Sequence, residues 1–283
     1  MKLHLSLKPI SATALLSLVL LVIGGAYGED PENRPEVQRA AHLARMNELA
    51  ESIRVYATPG DEASSAELIP EPVLRYSDET RRLYESSLWI WGSTGRPSAI
   101  AAIEFYPNDP RGPRWLYEIA SLSTAQIAAA RGDDLKWTAK EPGLKLQRIA
   151  AADAPAARPI RRLAQMKELR GRFAAHERAP VGGRIELRPL TSPLFRYKDE
   201  ANGLLDGAIF SFANGTNPEV LLALEAHEAK DGAEWRYALV QMTGAAVAVQ
   251  LDGKDVWDRG DADPPAVRES YVNGWIASEM SKE

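Results

Sequence analysis

Two glutamates and a histidine are the residues of this chain best placed by type and spacing to do chemistry. Glu104 and Glu225 stand 121 positions apart, and His227 follows the second by two. Carboxylates brought together divide acid and base roles when their surroundings push their pKa values apart, and a histidine beside them is the usual proton carrier near neutrality. A second pattern is Arg-Tyr-x-Asp, present as Arg75-Tyr76-Ser77-Asp78 and as Arg196-Tyr197-Lys198-Asp199. An arginine paired with the aspartate beside the tyrosine makes a structural clamp at the start of a sheet. The functional alternative is an anion site at each arginine. The clamp is preferred, because two copies of a unit need the same fold more than the same active site.

Other chemistries are excluded by what is missing. The chain has no cysteine, so it has no disulfide, no thiolate nucleophile and no cysteine-ligated zinc. Beyond the first 28 residues the histidines are His42, His176 and His227, which fall on separate segments without metal-ligand spacing. Neither a metal nor a cofactor is expected. Gly92-Ser93-Thr94-Gly95 is glycine-rich but sits inside a hairpin, with no following helix to meet a phosphate. There are 34 Lys and Arg against 39 Asp and Glu, with the basic residues scattered. That balance argues against nucleic acid as a partner.

The elements that must position these residues begin with the N-terminus. Lys2 and Lys8 precede a charge-free apolar run from Ile10 to Ile23, which ends at Gly24-Gly25-Ala26-Tyr27-Gly28 before acidic residues. This describes a secretory signal peptide over 1–28, cleaved after about Gly28. The protein is therefore expected to be exported, periplasmic or secreted, with no membrane span remaining. A flexible segment covers 29–36.

The rest of the chain repeats itself. Leu43-Ala44-Arg45-Met46-Asn47-Glu48-Leu49 matches Leu163-Ala164-Gln165-Met166-Lys167-Glu168-Leu169, and the Arg-Tyr-x-Asp segments, Trp115 with Trp235, and Trp137 with Trp257 follow in the same order. Two units are expected, over 37–149 and 160–283, joined by a linker at 150–159. Each opens on a helix, with the stripe Leu43, Met46, Leu49, Ile53, Tyr56 or Leu163, Met166, Leu169, Phe173, His176. Each continues into strands: Leu88–Trp91 or Ala208–Phe212, a five-residue loop, a second apolar strand, a third from Trp115 or Trp235, and a fourth at Leu135–Trp137 or Asp255–Trp257, with a further strand at Val247–Leu251. The predicted class is α+β: two tandem repeats, each an N-terminal helix packed on an antiparallel meander, in the style of cystatin-like and NTF2-like folds.

Side-chain alternation divides the second strand of each hairpin into two faces. Ala99, Ala101, Ile103 and Phe105, like Val220, Leu222, Leu224 and Ala226, make a wholly apolar face for the helix. Ile100, Ala102, Glu104 and Tyr106, like Leu221, Ala223, Glu225 and His227, make a half-apolar face. Either the two repeats cover that face for each other, or a partner does.

The Arg-Tyr-x-Asp segment, Leu88-Trp89-Ile90-Trp91 and the run from Asp206 to Leu222 together resemble a family of exported hypothetical proteins common in planctomycete bacteria. The resemblance spans most of the chain after the signal, and its motifs are structural, so it implies no site residues. Glu85-Ser86 stands where the second copy has Asp206-Gly207, which implies a different turn geometry there. The reading of function is a non-enzymatic exported module that binds a protein or an envelope component. The alternative is a small-ligand-binding protein, or a hydrolase- or isomerase-type enzyme, with its site on the half-apolar face. A deep pocket lined by Glu225, His227 and tryptophans would favour the alternative, and a self-covered face the binding module.

Overall fold

A computed structural model describes residues 35–78, 83–178 and 182–276. The signal segment and its cleavage site lie outside the described residues. One compact unit spans Arg39–Glu283, and the shorter unit Met1–Gln38 contributes only the first turn of the opening helix to the described residues.

The chain is predominantly β, which corrects the α+β expectation. Among the described residues there are two α-helices, α1 (Pro35–Ser52) and α2 (Pro159–Arg170), against nineteen strands. Both helices stop short of their predicted stripes. Ile53 follows the end of α1, Tyr56 closes strand β1 (Arg54–Tyr56), and Phe173 and His176 lie in β10 (Phe173–Arg178). Phe173, Ala175 and Glu177 are buried while Ala174 is exposed, an alternation of two that overrides the apparent spacing of three and four. The β-branched, aromatic and small residues after each helix gain more by pairing in sheets than by another helical turn.

Those pairings build sheets that a helix-on-meander unit lacks. β1, β2 (Ser65–Ala66), β7 (Ala128–Arg131) and β8 (Leu135–Thr138) form a four-stranded antiparallel sheet in the order β2-β1-β7-β8. A second sheet contains β3 (Leu74–Asp78), β4 (Leu83–Trp91), β5 (Ala99–Tyr106) and β6 (Arg114–Ser121). Its other edge is supplied by the end of the chain, β18 (Ala266–Val267) and β19 (Tyr271–Ile276), with β19 paired to β6. The third sheet runs β17 (Lys254–Arg259), β16 (Ala246–Leu251), β10, β11 (Arg184–Pro189), β13 (Leu204–Asn214), β14 (Asn217–Ala229), β15 (Gly232–Gln241) and β9 (Gln147–Arg148). Strand β12 (Phe195–Asp199) pairs with β13 off this path. The chain thus forms large antiparallel sheets instead of two helix-covered meanders.

Two local expectations also change. The β13–β14 loop is two residues long, because pairing continues to Asn214 and Asn217 past a bulge at Phe212–Ala213. Gly215 takes the left-handed φ of +61° that this tight turn requires. Asp206 and Gly207 lie inside β13, opposite Ala226 and Glu225, and form no turn.

Three cores hold the layers. Met46 and Leu49 of α1 share one with Ala99, Ala101 and Ile103. Met166 and Leu169 of α2 share another with Val220, Leu222 and Leu224. The central core joins the half-apolar faces, with Ile100 and Ala102 of β5 in one cluster with Leu221 and Ala223 of β14. The second and third sheets therefore pack face to face and cover each other. Among the described residues no helix is long and apolar enough to cross a membrane.

Candidate functional site

Strand register sets up two related buried clusters between the facing sheets. Tyr76, Ser86 and Glu104 lie in one row across β3, β4 and β5. Tyr197, Gly207 and Glu225 lie in one row across β12, β13 and β14. The middle residue is small in both, so the tyrosine ring lies across it and its hydroxyl reaches the glutamate. Tyr76 donates to Glu104 Oε1 at 2.8 Å and Tyr197 to Glu225 Oε1 at 2.7 Å. Two residues further along each strand, on the same face, a ring meets the other carboxylate oxygen. Tyr106 donates to Glu104 Oε2 at 2.8 Å, and His227 Nε2 lies 2.6 Å from Glu225 Oε2.

The facing sheet decides what completes each cluster. Arg96, in the β4–β5 loop, closes the Glu225 cluster with a bidentate pair: Nε to Oε1 and Nη2 to Oε2, both 2.7 Å. Glu225 is fully buried. Burial acts to raise its carboxyl, but hydrogen bonds from Arg96 and His227, the Arg96 charge and the Tyr197 hydroxyl outweigh it and hold the pKa at about 2. Burial, followed by the Glu225 charge, pushes the Tyr197 hydroxyl well above its ordinary range.

At the Glu104 cluster the facing sheet presents Asn217 at the start of β14 and Thr243-Gly244-Ala245 after β15, and a cleft of about 320 Å³ remains. Glu118 of β6 enters the same cleft. It lies opposite Ala102 and so on the same face as Glu104. Tyr271 of β19 donates to Glu118 Oε1 at 2.7 Å and accepts from Asn273 Nδ2 at 3.1 Å. Burial first, then the Glu118 charge, raises the Tyr271 hydroxyl well above its usual value. Trp275 lines the cleft, with the Arg114 guanidinium 3.3 Å from its ring centroid. Arg114 is anchored by Asp109 at 2.8 Å. Asn217 lines the cleft and is only 5% exposed.

The expected site residues are therefore divided. Glu225 and His227 meet, while Glu104 belongs to the other cluster and has Glu118 as its carboxylate neighbour in the cleft. The clamp takes a different form. Arg196 does not pair with Asp199; it binds Asp206 through Nε at 2.8 Å and Nη2 at 2.6 Å, and buried Arg162 of α2 binds the same carboxylate at 2.9 Å. Residues three apart on a strand point to opposite faces, so Arg196 and Asp199 have no common side, whereas Asp206 is a diagonal cross-strand neighbour. Asp199 accepts from Asn202 instead. Arg75 is exposed, and the side chain of Asp78 lies outside the described residues.

Arg96, Glu118, Asn217, Tyr271 and Trp275 escaped sequence reasoning. Glu118 left one sign, an acid alternating with Leu116 and Ala120 on the half-apolar side of β6. Arg96 left none, since its partner is 129 residues away. Comparison with protein families, curated proteins and solved structures finds no match to this chain.

Proposed function

We propose that this protein is an exported binding module whose small ligand occupies the Glu104–Glu118 cleft. The observation that carries the reading is the contrast between two clusters of one plan, one sealed by Arg96 and the other left open around buried polar groups. Ligand sites are characteristically concave, preformed and lined by apolar surface with a few convergent polar groups. Glu104, Glu118 and Asn217 are such groups, and Trp275 and Leu116 supply apolar wall. The half-apolar faces cover each other, which counts for a binding module over an enzyme, and it is the open cleft beside Glu104 that favours a small ligand over a protein as what the module binds. The basic start, apolar run and small-residue end of the first 28 residues support export.

A thermal-shift screen of small molecules against the full chain tests the reading. A ligand present at about 100 times its Kd is expected to add about 2.7 kcal/mol of stability. Glu118→Gln or Asn217→Leu is expected to remove that gain. Stabilising compounds that are indifferent to both substitutions, or the absence of any stabilising compound, would overturn it.

A further inference from the structure

Three asparagines of this chain are followed by glycine: Asn202-Gly203, Asn214-Gly215 and Asn273-Gly274. That order carries a reaction of its own, because glycine has no Cβ to keep its nitrogen away from the neighbouring side chain. The glycine nitrogen attacks Cγ of the asparagine and closes a succinimide ring. The Cγ–Nδ2 bond breaks, and the side-chain nitrogen leaves as ammonia with the proton that the glycine N–H gives up. Water, the only co-reactant, then opens the ring to aspartate or isoaspartate. The first two pairs share the tripeptide Ala-Asn-Gly, from Ala201 and from Ala213, so any difference between them comes from the fold.

We propose that Asn214 is the site of this spontaneous deamidation in the folded protein. Pairing of β13 with β14 ends on Asn214 and Asn217, so the Gly215 N–H stands outside the ladder. No acceptor meets it among the described residues. Gly215 is exposed, and nothing lies within 4 Å of where its Cβ would stand. The rest of the turn is held, with Arg188 Nε donating to the Gly215 carbonyl at 2.9 Å and the Thr216 hydroxyl to Ser77 O at 2.7 Å. The Asn214 side chain is fastened through its leaving nitrogen, which donates to Glu177 Oε2 at 3.2 Å. The other two pairs are locked. Gly203 N, the attacking atom at Asn202, donates to Glu200 O at 3.1 Å. Asn273 is buried in β19, its Nδ2 donating to Ala262 O at 2.7 Å and its Oδ1 accepting from Ala266 N at 2.8 Å, and Gly274 is paired with Tyr117. At Asn214, isoaspartate adds a methylene group to the main chain at the pair that closes the hairpin, and aspartate has no side-chain N–H for Glu177. Asn217, across the turn, lines the cleft, so the change falls beside it.

The test incubates the full chain in mildly alkaline buffer and follows each asparagine by peptide fragmentation in the mass spectrometer, with isoaspartate scored separately. A hydrogen bond that must break before attack slows the reaction about fivefold. Asn214 is therefore expected to convert at least about fivefold faster than Asn202, with Asn273 silent. In concentrated urea the two Ala-Asn-Gly sites are expected to convert at the same rate, because the fold that separates them is gone. Asn214→Gln, whose longer side chain must close a larger and slower ring, is expected to remove most of the ammonia released by the native chain. Conversion of Asn202 or Asn273 as fast as Asn214 in the native chain overturns the proposal. So does a preference for Asn214 that persists undiminished in urea, an Asn214→Gln chain that releases ammonia as fast as the parent, or no conversion at Asn214.

Discussion

Arg96 and Glu225 form an ion pair whose worth depends on both members staying. Glu225 is fully buried, so removing the arginine leaves a charge without compensation, which costs about 3–5 kcal/mol in comparable sites. Arg96→Met is expected to lower stability by that order in urea denaturation. The Arg96→Met/Glu225→Gln double variant is expected to lose less than the sum of the single losses. The same carboxylate sets a pH dependence. Its folded pKa of about 2 lies below the ordinary glutamate value of about 4.3. The stabilisation is therefore complete above about pH 4.3 and is lost as the pH falls through the folded value, with a total of roughly 3 kcal/mol. Urea midpoints between pH 5 and 2 are expected to fall steeply in the parent and more shallowly in Glu225→Gln.

Among the elements, β13 shows how a small residue in mid-strand serves a distant contact. A Cβ on Gly207 would lie 2.5 Å from Tyr197 Cε2, so the tyrosine must move and release Glu225. Gly207→Ala is expected to cost about 1–3 kcal/mol by overpacking, measured as a fall in the urea midpoint with the native fold retained. Strand positions such as Leu88–Trp91, Ala208–Phe212, Leu135–Trp137 and Val247–Leu251 were legible because bulky, β-prone residues cluster there. The helix stripes were legible only to Leu49 and Leu169. Past those points Ile53, Tyr56, Phe173 and His176 continue the helical spacing while Phe173, Ala175 and Glu177 fit an alternating one, and only sheet pairing decides between the two. At the site, the shared face of Glu225 and His227 followed from alternation along one strand. The arrival of Arg96 did not, because it depends on how two sheets pack, which no local pattern encodes.

For the whole molecule, the closing strand matters most. β19 covers the edge of β6, and its Tyr271 holds Glu118 at the wall of the cleft. Deleting residues 266–283 is expected to expose that edge to pairing with other chains, seen as self-association in analytical ultracentrifugation, and to abolish ligand binding at the cleft. The tyrosine and the glutamate it meets are 153 residues apart in the chain. A polypeptide leaving the ribosome therefore presents β6 long before the strand that completes its sheet exists. Loop closure on that scale comes late, so this edge of the sheet stays open until β19 has emerged. Until then, the strand that carries Glu118 has one neighbour in its sheet instead of two.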